Sequence, residues 1–235
     1  MISDGINYNT KHSYQDFGLI LQERKISNPS KIKNTERIPW SNVEYDFSSL
    51  YGEQEYEERV MSYTFALVSP SKQYYETMKT VVINWLCSPV GKTVLTDDIF
   101  PNYYFLAEVV KGPSATDFNL DGSITVEFTA YPFKISSLKE GNDIWDEFDF
   151  LLDYAQETDF TVTGSLDIKL YNPGITIVYP KIICSNAMKI QKGNITYEIP
   201  SGFTTSYDFS LSPGENKLKV IGTGSISFEF YKELI

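Results

Sequence analysis

The chain has 235 residues, which is long for one small domain and short for three, so two domains are expected. Its 17 Tyr and 15 Phe stand against six Ala, a balance that favours β-sheets over helices. With 31 acidic and 20 basic residues the net charge is −11, which argues against binding to nucleic-acid phosphates and against adhesion to anionic lipid. No apolar run approaches the roughly 18 residues of a membrane span, and the amino terminus lacks a secretory signal pattern, so a soluble protein synthesised in the cytoplasm is expected.

The first half predicts one helix among strands. Residues 60–68 alternate in the manner of a strand, with one apolar face formed by Met61, Tyr63, Phe65 and Leu67. Ser69-Pro70-Ser71 predicts a helix start, and Ser88-Pro89 predicts its end. Between them, residues 72–86 carry apolar side chains at three- and four-residue spacing, namely Tyr75, Met78, Val82, Trp85 and Leu86.

Two further strands are predicted at 103–110 and 123–131, joined as a hairpin through the turn dipeptide Asp121-Gly122. The second strand should bury Ile124, Val126, Phe128 and Ala130. The preceding residues, Asp117 to Asp121, have the oxygen spacing that opens a calcium loop. The chelating glutamate would fall at Phe128, and a hairpin turn explains the same residues, so calcium at Asp117 and Asp121 stays an open alternative.

The composition changes after Pro132-Phe133-Lys134. Residues 141–159 contain seven acidic residues and no basic one, and the domain boundary is placed in this region: 1–137 as an α+β domain with one main helix, and 138–235 as a β domain. The second domain should contain short strands at 161–171, 174–179, 181–184, 188–191, 195–199, 205–211, 217–221 and 225–231. Turn signals separate these runs, which predicts a β-sandwich or jelly roll in a mostly β protein.

No catalytic or metal site can be assembled from the sequence. The only histidine, His12, lies near Ser13 and Asp16 on a terminal stretch, and the two cysteines, Cys87 and Cys184, are interpreted as buried apolar residues. The run Pro89 to Thr93 lacks the first glycine of a phosphate loop, where Leu86 stands instead. The chain is therefore expected to be no enzyme and to use no cofactor.

The order of several segments resembles the distal tail protein (Dit) family of long-tailed phages. The segments in the first half are Phe17-Gly18-Leu19-Ile20-Leu21, Asn28-Pro29, Arg37-Ile38-Pro39, Tyr45-Asp46-Phe47-Ser48 and Tyr56-Glu57-Glu58-Arg59. In the second half, Asn172-Pro173-Gly174, Gly214-Glu215-Asn216 and Gly224-Ser225-Ile226 are similar to that family's galectin-like β-sandwich. Relatives often carry a glycine-rich turn after the Ile-Pro pair, where this chain has Trp40-Ser41-Asn42-Val43, so the resemblance leaves the hairpin tip undefined.

The resemblance implies a structural virion protein at the tail tip, part of the baseplate hub. N-terminal domains would close a homohexameric ring, possibly stacked, that joins the tail tube protein to the tail-tip or tail-fibre protein, and the sandwich domains would hold receptor-binding proteins. In some relatives the final segment packs on the first domain, and residues 228–235 are the equivalent here. Both halves of the chain are acidic, which is compatible with a lumen that repels DNA during transit.

Ring closure needs head-to-tail contacts between copies, and an extended hairpin is suitable material for them. Residues 37–59 carry apolar side chains without a clear core face. The predicted interface residues are Arg37, Ile38, Pro39, Trp40, Tyr45, Phe47, Tyr56 and Arg59.

A carbohydrate-binding accessory module of the tail is the alternative from another class. Galectins bind sugar with His, Asn and Arg and stack it on Trp, and none of the arginines, tryptophans or the histidine here falls in the sandwich strands. Stacking of sugar on Tyr171, Tyr179, Tyr197 or Tyr207 by another arrangement stays open.

Overall fold

The computed structural model describes residues 4–48, 50, 52–118 and 121–235. The protein is mostly β with one main helix, as predicted. It divides into two compact units, residues 1–134 and 135–234. Within the described residues, no helix is long and apolar enough to cross a membrane.

The first unit is built on one large antiparallel sheet. Its helices are α1 (Ser13–Phe17) and α2 (Lys72–Cys87). Its strands are β1 (Ile6–Tyr8), β2 (Lys11–His12), β3 (Ile20–Ile26), β4 (Thr35–Arg37), β5 (Glu44–Asp46), β6 (Arg59–Val68), β7 (Thr93–Asp97), β8 (Tyr103–Glu108), β9 (Ser114–Asp117) and β10 (Asp121–Ala130). The order across the sheet is β2-β1-β7-β8-β10-β6-β3, with β9 paired to β10 and a separate β4–β5 hairpin.

Strands β6 and β10 form the centre of the first unit. They pair in one register over ten residues, from Arg59 opposite Ala130 to Val68 opposite Asp121. The predicted inward side chains of both strands are all buried: Met61, Tyr63, Phe65, Leu67, Ile124, Val126, Phe128 and Ala130. Period-two alternation therefore identified both strands and their core faces.

The predicted helix is confirmed as α2. The hydroxyl of Ser71 accepts a hydrogen bond from the Tyr74 amide at 3.2 Å and so caps the first turn. One face is buried in the core, formed by Tyr75, Val82, Trp85 and Leu86, with Met78 packed beside it. Cys87 ends the helix on the exposed side, contrary to its predicted burial, whereas Cys184 is buried.

The hairpin predicted between residues 103–110 and 123–131 is wrong, because the strand that precedes the second of them in the chain is a different one, β9. Asp121 and Gly122 are the first residues of β10, which pairs with β9 from Asp117 opposite Gly122, while β8 meets β10 only at its far end. All four residues of β9 are exposed, so the strand had no apolar alternation to reveal it.

The Asp117 carboxylate accepts hydrogen bonds from Tyr75 Oη at 2.7 Å and Lys79 Nζ at 2.9 Å. Asn119 and Leu120 of the candidate calcium loop lie outside the described residues.

The second unit is a curled sheet dominated by two long strands. The strands from the junction onward are β11 (Lys134–Ser136), β12 (Asp159–Asn172), β13 (Lys181–Cys184), β14 (Met188–Lys192), β15 (Ile195–Ile199), β16 (Gly202–Thr204), β17 (Gly214–Glu229) and β18 (Glu233–Leu234), with a 3-10 helix at Trp145–Glu147. The curled sheet has six strands in the order β15-β14-β17-β13-β16, with β12 paired along β17. Strands β11 and β18 pair with each other and are not part of this sheet.

The β12–β17 ribbon bends at a pair of glycines. Gly164 lies directly opposite Gly222, and both have positive φ, 80° and 150°. Residues of β17 on both sides of this point bury the same face, from Leu218 to Phe228. Before the bend β17 pairs with β14, and after it with β13, so the bent ribbon joins both strands in one curled sheet, which is consistent with a β-sandwich.

Four predicted strands of the second half are corrected. The strands predicted at 217–221 and 225–231 are one strand, β17, which continues through the glycines and ends at Glu229. Residues 205–211 and 174–179 are not strands and are joined by one isolated bridge between Val178 and Leu211. Phe209 and Leu211 are nevertheless buried, so their alternation reported burial of a loop and not a strand.

Candidate assembly surface

A long arm, residues 27–58, leaves the first unit between β3 and β6. Backbone hydrogen bonds continue the β3–β6 ladder along it: the Ser27 amide donates to Val60 O at 3.0 Å, and the Glu57 amide to Ser30 O at 2.8 Å. Farther out, the Ile32 amide donates to Glu55 O at 2.9 Å. The arm is therefore an extension of β6 and of the edge strand β3.

The β4–β5 hairpin forms the outer part of the arm. Thr35 lies opposite Asp46 and Arg37 opposite Glu44, and the Ile38 amide donates to Val43 O at 3.2 Å. Trp40 at the tip has φ +65° and a fully exposed side chain. It adopts the left-handed conformation that favours glycine, which is costly for a bulky residue.

One face of this hairpin is apolar and exposed. Side chains alternate along each strand, and residues of matching parity lie on the same face. That face carries Ile32, Ile38, Val43, Tyr45 and Phe47, and it also carries the exposed Glu36, which lies opposite Tyr45. Tyr45 is 54% exposed and Phe47 44% exposed, with ring centroids 6.2 Å apart.

The opposite face of the hairpin is polar. Lys33 Nζ lies 2.6 Å from Asp46 Oδ2, and Ser48 N donates to Asp46 Oδ1 at 2.9 Å. The hydrogen bonds from Lys33 and Ser48 hold the pKa of the Asp46 carboxyl well below its usual range. The hairpin is thus amphipathic: one face is polar and suited to contact with water, and the other face is largely apolar.

The predicted interface residues fall into two groups. Arg37, Ile38, Pro39, Trp40, Tyr45 and Phe47 lie together on the hairpin. Tyr56 lies at the base of the arm, half-buried with its ring 5.2 Å from that of Phe133. Arg59 is buried; its Nε donates to Pro132 O at 2.7 Å, and burial lowers its pKa.

Two residues of the apolar face, Ile32 and Val43, were missed from the sequence. For Val43 a signal was available, because the two-residue spacing of Val43, Tyr45 and Phe47 predicts that they share one face of a strand. Ile32 needed the strand register, because its place on that face follows from pairing across the arm.

The neighbourhood of His12 is built for capping a helix. His12 Nδ1 accepts hydrogen bonds from the amides of Tyr14 and Gln15, each at 3.1 Å, so Nε2 carries the proton and donates to Asp98 Oδ2 at 3.0 Å. Asp16 accepts from the His12 amide, and the buried Ser13 hydroxyl accepts from Ile6 N. With both ring nitrogens engaged, His12 has no lone pair left to act as a general base.

Metal ligands do not converge either. No group of three or more His, Cys, Asp or Glu that could hold a metal ion occurs in the part of the chain that the structure describes.

Among the four tyrosines considered for sugar stacking, the structure brings Tyr179 and Tyr207 together. Their ring centroids are 5.0 Å apart, and Tyr207 is 85% exposed. Tyr171 stacks on Tyr154 with centroids 4.3 Å apart, and Tyr197 packs edge-on against the buried Phe209.

The fold has a known counterpart, although the sequence matches no family model and no curated protein. The structure is similar to the crystal structure of SPP1 Dit (gp 19.1), with a TM-score of 0.68 and 15% identity over 99% of both chains. That protein is described as a paradigm of the hub adsorption apparatus in phages that infect Gram-positive bacteria. The predicted resemblance to the distal tail protein family is therefore confirmed at the level of the fold.

Proposed function

We propose that this chain is a structural, non-catalytic protein of a phage virion, located at the tail tip. It forms a homohexameric ring that connects the tail tube to the tail-tip or tail-fibre protein. The proposal is supported by the shared fold with SPP1 Dit and carried by one observation, the exposed apolar face of the arm.

That face needs a partner for physical reasons. A two-stranded ribbon is marginally stable alone in water, and here its apolar side has no backing within the described residues. Burial of Tyr45 and Phe47 against a neighbouring copy supplies about 25 cal/mol for each Å² of apolar surface removed from water. A contact made by an arm on one copy with another surface of the next copy is head-to-tail, and such contacts form a ring when the rotation from copy to copy closes.

The two parts of the chain have different proposed roles. The first domain, residues 1–137, forms the ring through the hairpin, with Tyr56 and Arg59 at the base of the arm. The second domain, residues 138–235, is a galectin-like sandwich that holds receptor-binding or other tail proteins. The bent β12–β17 ribbon supports the sandwich assignment.

Light scattering coupled to size-exclusion chromatography, with negative-stain images of the full chain, tests the ring. Six subunits per particle and six-fold rings support the proposal. Rings of another symmetry contradict the hexamer, and monomers at every concentration contradict self-assembly through the arm.

Carbohydrate binding by the second domain is a second candidate function, favoured by the contact between Tyr179 and Tyr207. An exposed ring beside a second ring offers an apolar platform on which a sugar face can stack. A glycan array probed with the full chain tests it. Saturable binding that Tyr207→Ala removes and Tyr197→Phe preserves supports this function; absence of binding, or binding unaffected by Tyr207→Ala, contradicts it.

A further inference from the structure

A second exposed apolar surface lies in the second unit, on the segment 143–154, here termed the acidic aromatic segment. Six of its large apolar side chains are between 40% and 93% exposed: Ile144, Trp145, Phe150, Leu151, Leu152 and Tyr154. Exposed apolar side chains gathered in this way are uncommon on monomers and mark interaction surfaces. This surface is distinct from the hairpin of the arm and lies more than ninety positions later in the sequence.

The segment holds its shape through internal contacts. Trp145 and Phe148 have ring centroids 5.4 Å apart, and Phe148 and Phe150 are 5.2 Å apart. The amide of Leu151 donates to Asp149 Oδ1, and the amide of Asp149 donates to Asp153 Oδ2, both at 2.8 Å. A surface that is already ordered loses less conformational entropy when a partner binds.

A buried lysine forms an ion pair with the acidic aromatic segment. Lys232 is 5% exposed and forms ion pairs with Asp153 and with Glu140, the latter at 3.9 Å. The two inner carboxylates therefore share the single positive charge of this lysine. In contrast, Asp143, Asp146 and Glu147 are exposed and form no ion pair with any described residue.

The charge of the surface selects its partner. Residues 141–159 contain seven acidic and no basic residues, so the apolar side chains are surrounded by negative charge. Another copy of this chain, with net charge −11, is a poor match, as are anionic lipid and nucleic acid. Complementary potentials favour a partner that presents cationic side chains around an apolar groove.

We propose that the acidic aromatic segment is a docking surface for a different protein, one that inserts Lys or Arg side chains between the outer carboxylates and receives Trp145 and Phe150 in an apolar groove. Large aromatic side chains are the residues that most often dominate binding at such surfaces. The inference is independent of the ring, because the residues that carry it are not those of the arm.

Binding of a short synthetic peptide of alternating leucine and lysine, measured by calorimetry with the full chain, tests the proposal. A serine–lysine peptide controls for charge alone, and a leucine–glutamate peptide controls for apolar content alone. We expect saturable binding of the leucine–lysine peptide only. The variants Trp145→Ala with Phe150→Ala, and Asp146→Lys with Glu147→Lys, should each weaken it at least about tenfold.

Matched variants elsewhere separate this surface from general attraction to an acidic protein. Phe203→Ala removes another exposed aromatic ring of the second unit, and Glu53→Lys with Glu55→Lys makes the same charge change on the arm. Both should leave the affinity unchanged. The proposal is overturned if these controls weaken binding as much as the segment variants do, if the serine–lysine peptide binds equally well, or if no peptide binds saturably. Light scattering of the segment variants shows whether the ring is unaffected, which keeps the two proposals distinguishable.

Discussion

Arg24 binds the carboxylate of Asp97 through two hydrogen bonds, Nε to Oδ2 at 2.7 Å and Nη2 to Oδ1 at 2.6 Å. The Asp97 side chain is fully buried and also accepts a hydrogen bond from Tyr63 Oη at 2.9 Å. Burial and the neighbouring carboxylate raise the pKa of Tyr63, so this phenol stays a donor. Strands β3, β6 and β7, which are separated in sequence, are thereby joined at one point in the core.

Replacing Arg24→Ala should destabilise the first unit by about 3 kcal/mol or more, because it leaves the Asp97 charge buried without its cation. Urea unfolding followed by fluorescence measures this change. Arg37→Ala, which removes an exposed arginine from the arm, is the control and should leave the free energy of unfolding unchanged. Equal effects of the two substitutions would refute the structural role of the Arg24–Asp97 pair.

Gly222→Ala should destabilise the second unit by about 1–3 kcal/mol. The residue has φ +150°, and an added Cβ would lie 2.9 Å from Cγ of Met188. Gly112→Ala is the matched control, since a Cβ there meets no atom within 4 Å and its φ lies outside the left-handed region. Thermal unfolding of both variants measures the difference, and a neutral Gly222→Ala would show that the ribbon does not need this bend.

The double variant Tyr45→Ser with Phe47→Ser should prevent oligomer formation while leaving the fold of the subunit intact. The two side chains are already exposed in the free chain, so their loss removes contacts between copies and not core packing. Light scattering measures the mass, and circular dichroism measures the fold. Glu44→Gln, on the polar face next to Tyr45, should assemble as the unchanged chain does; assembly by the double variant would exclude the apolar face as the interface.

Stability of the second unit should fall as the pH rises above about 4.5 because of Glu140. Burial raises the pKa of this carboxyl above its usual value of 4.5, although Lys232 opposes the shift. The folded state therefore binds more protons than the unfolded state in the window above that value, and the stabilisation is lost as the pH rises through the folded pKa. Urea unfolding from about pH 4.5 to neutrality should show this decline in the unchanged chain and a smaller decline in Glu140→Gln.

The exposed Glu157→Gln provides the comparison for this experiment and should follow the unchanged chain. An identical pH dependence in Glu140→Gln would show that the buried carboxyl does not contribute.

Strong periodicity made the first unit predictable. Alternation in β6 and β10 and the three- and four-residue spacing in α2 each reflect a single buried face, so both the element and its core residues followed from the sequence. Strand β9 was missed because its four residues are all exposed. A strand at the sheet margin whose side chains are all exposed carries no hydrophobic signal.

The long strand β17 was wrongly predicted as two strands, because a glycine in a β protein can either end a strand or allow it to bend. Residues 222–224 were left between two predicted strands, whereas Gly222 and Gly224 allow one strand to bend without losing its register. The buried alternation of Phe209 and Leu211 misled in the opposite direction, since a loop packed on the core can mimic it.

The arm shows where sequence reasoning reached its limit at the candidate site. A stretch that carries apolar residues without a clear core face was identified at residues 37–59. The face on which Ile32 lies depended on backbone pairing between residues more than twenty positions apart, and no local sequence pattern predicts such pairing.

The amphipathic arm also affects how readily proteases can cleave the free subunit. Its outer hairpin is backed by no other element of the described chain, so it is the part most open to proteases before assembly and most shielded afterwards. Cleavage near Trp40 would remove the contact surface while sparing the central sheet. Damaged subunits would then be excluded from the growing structure by the same feature that admits intact ones.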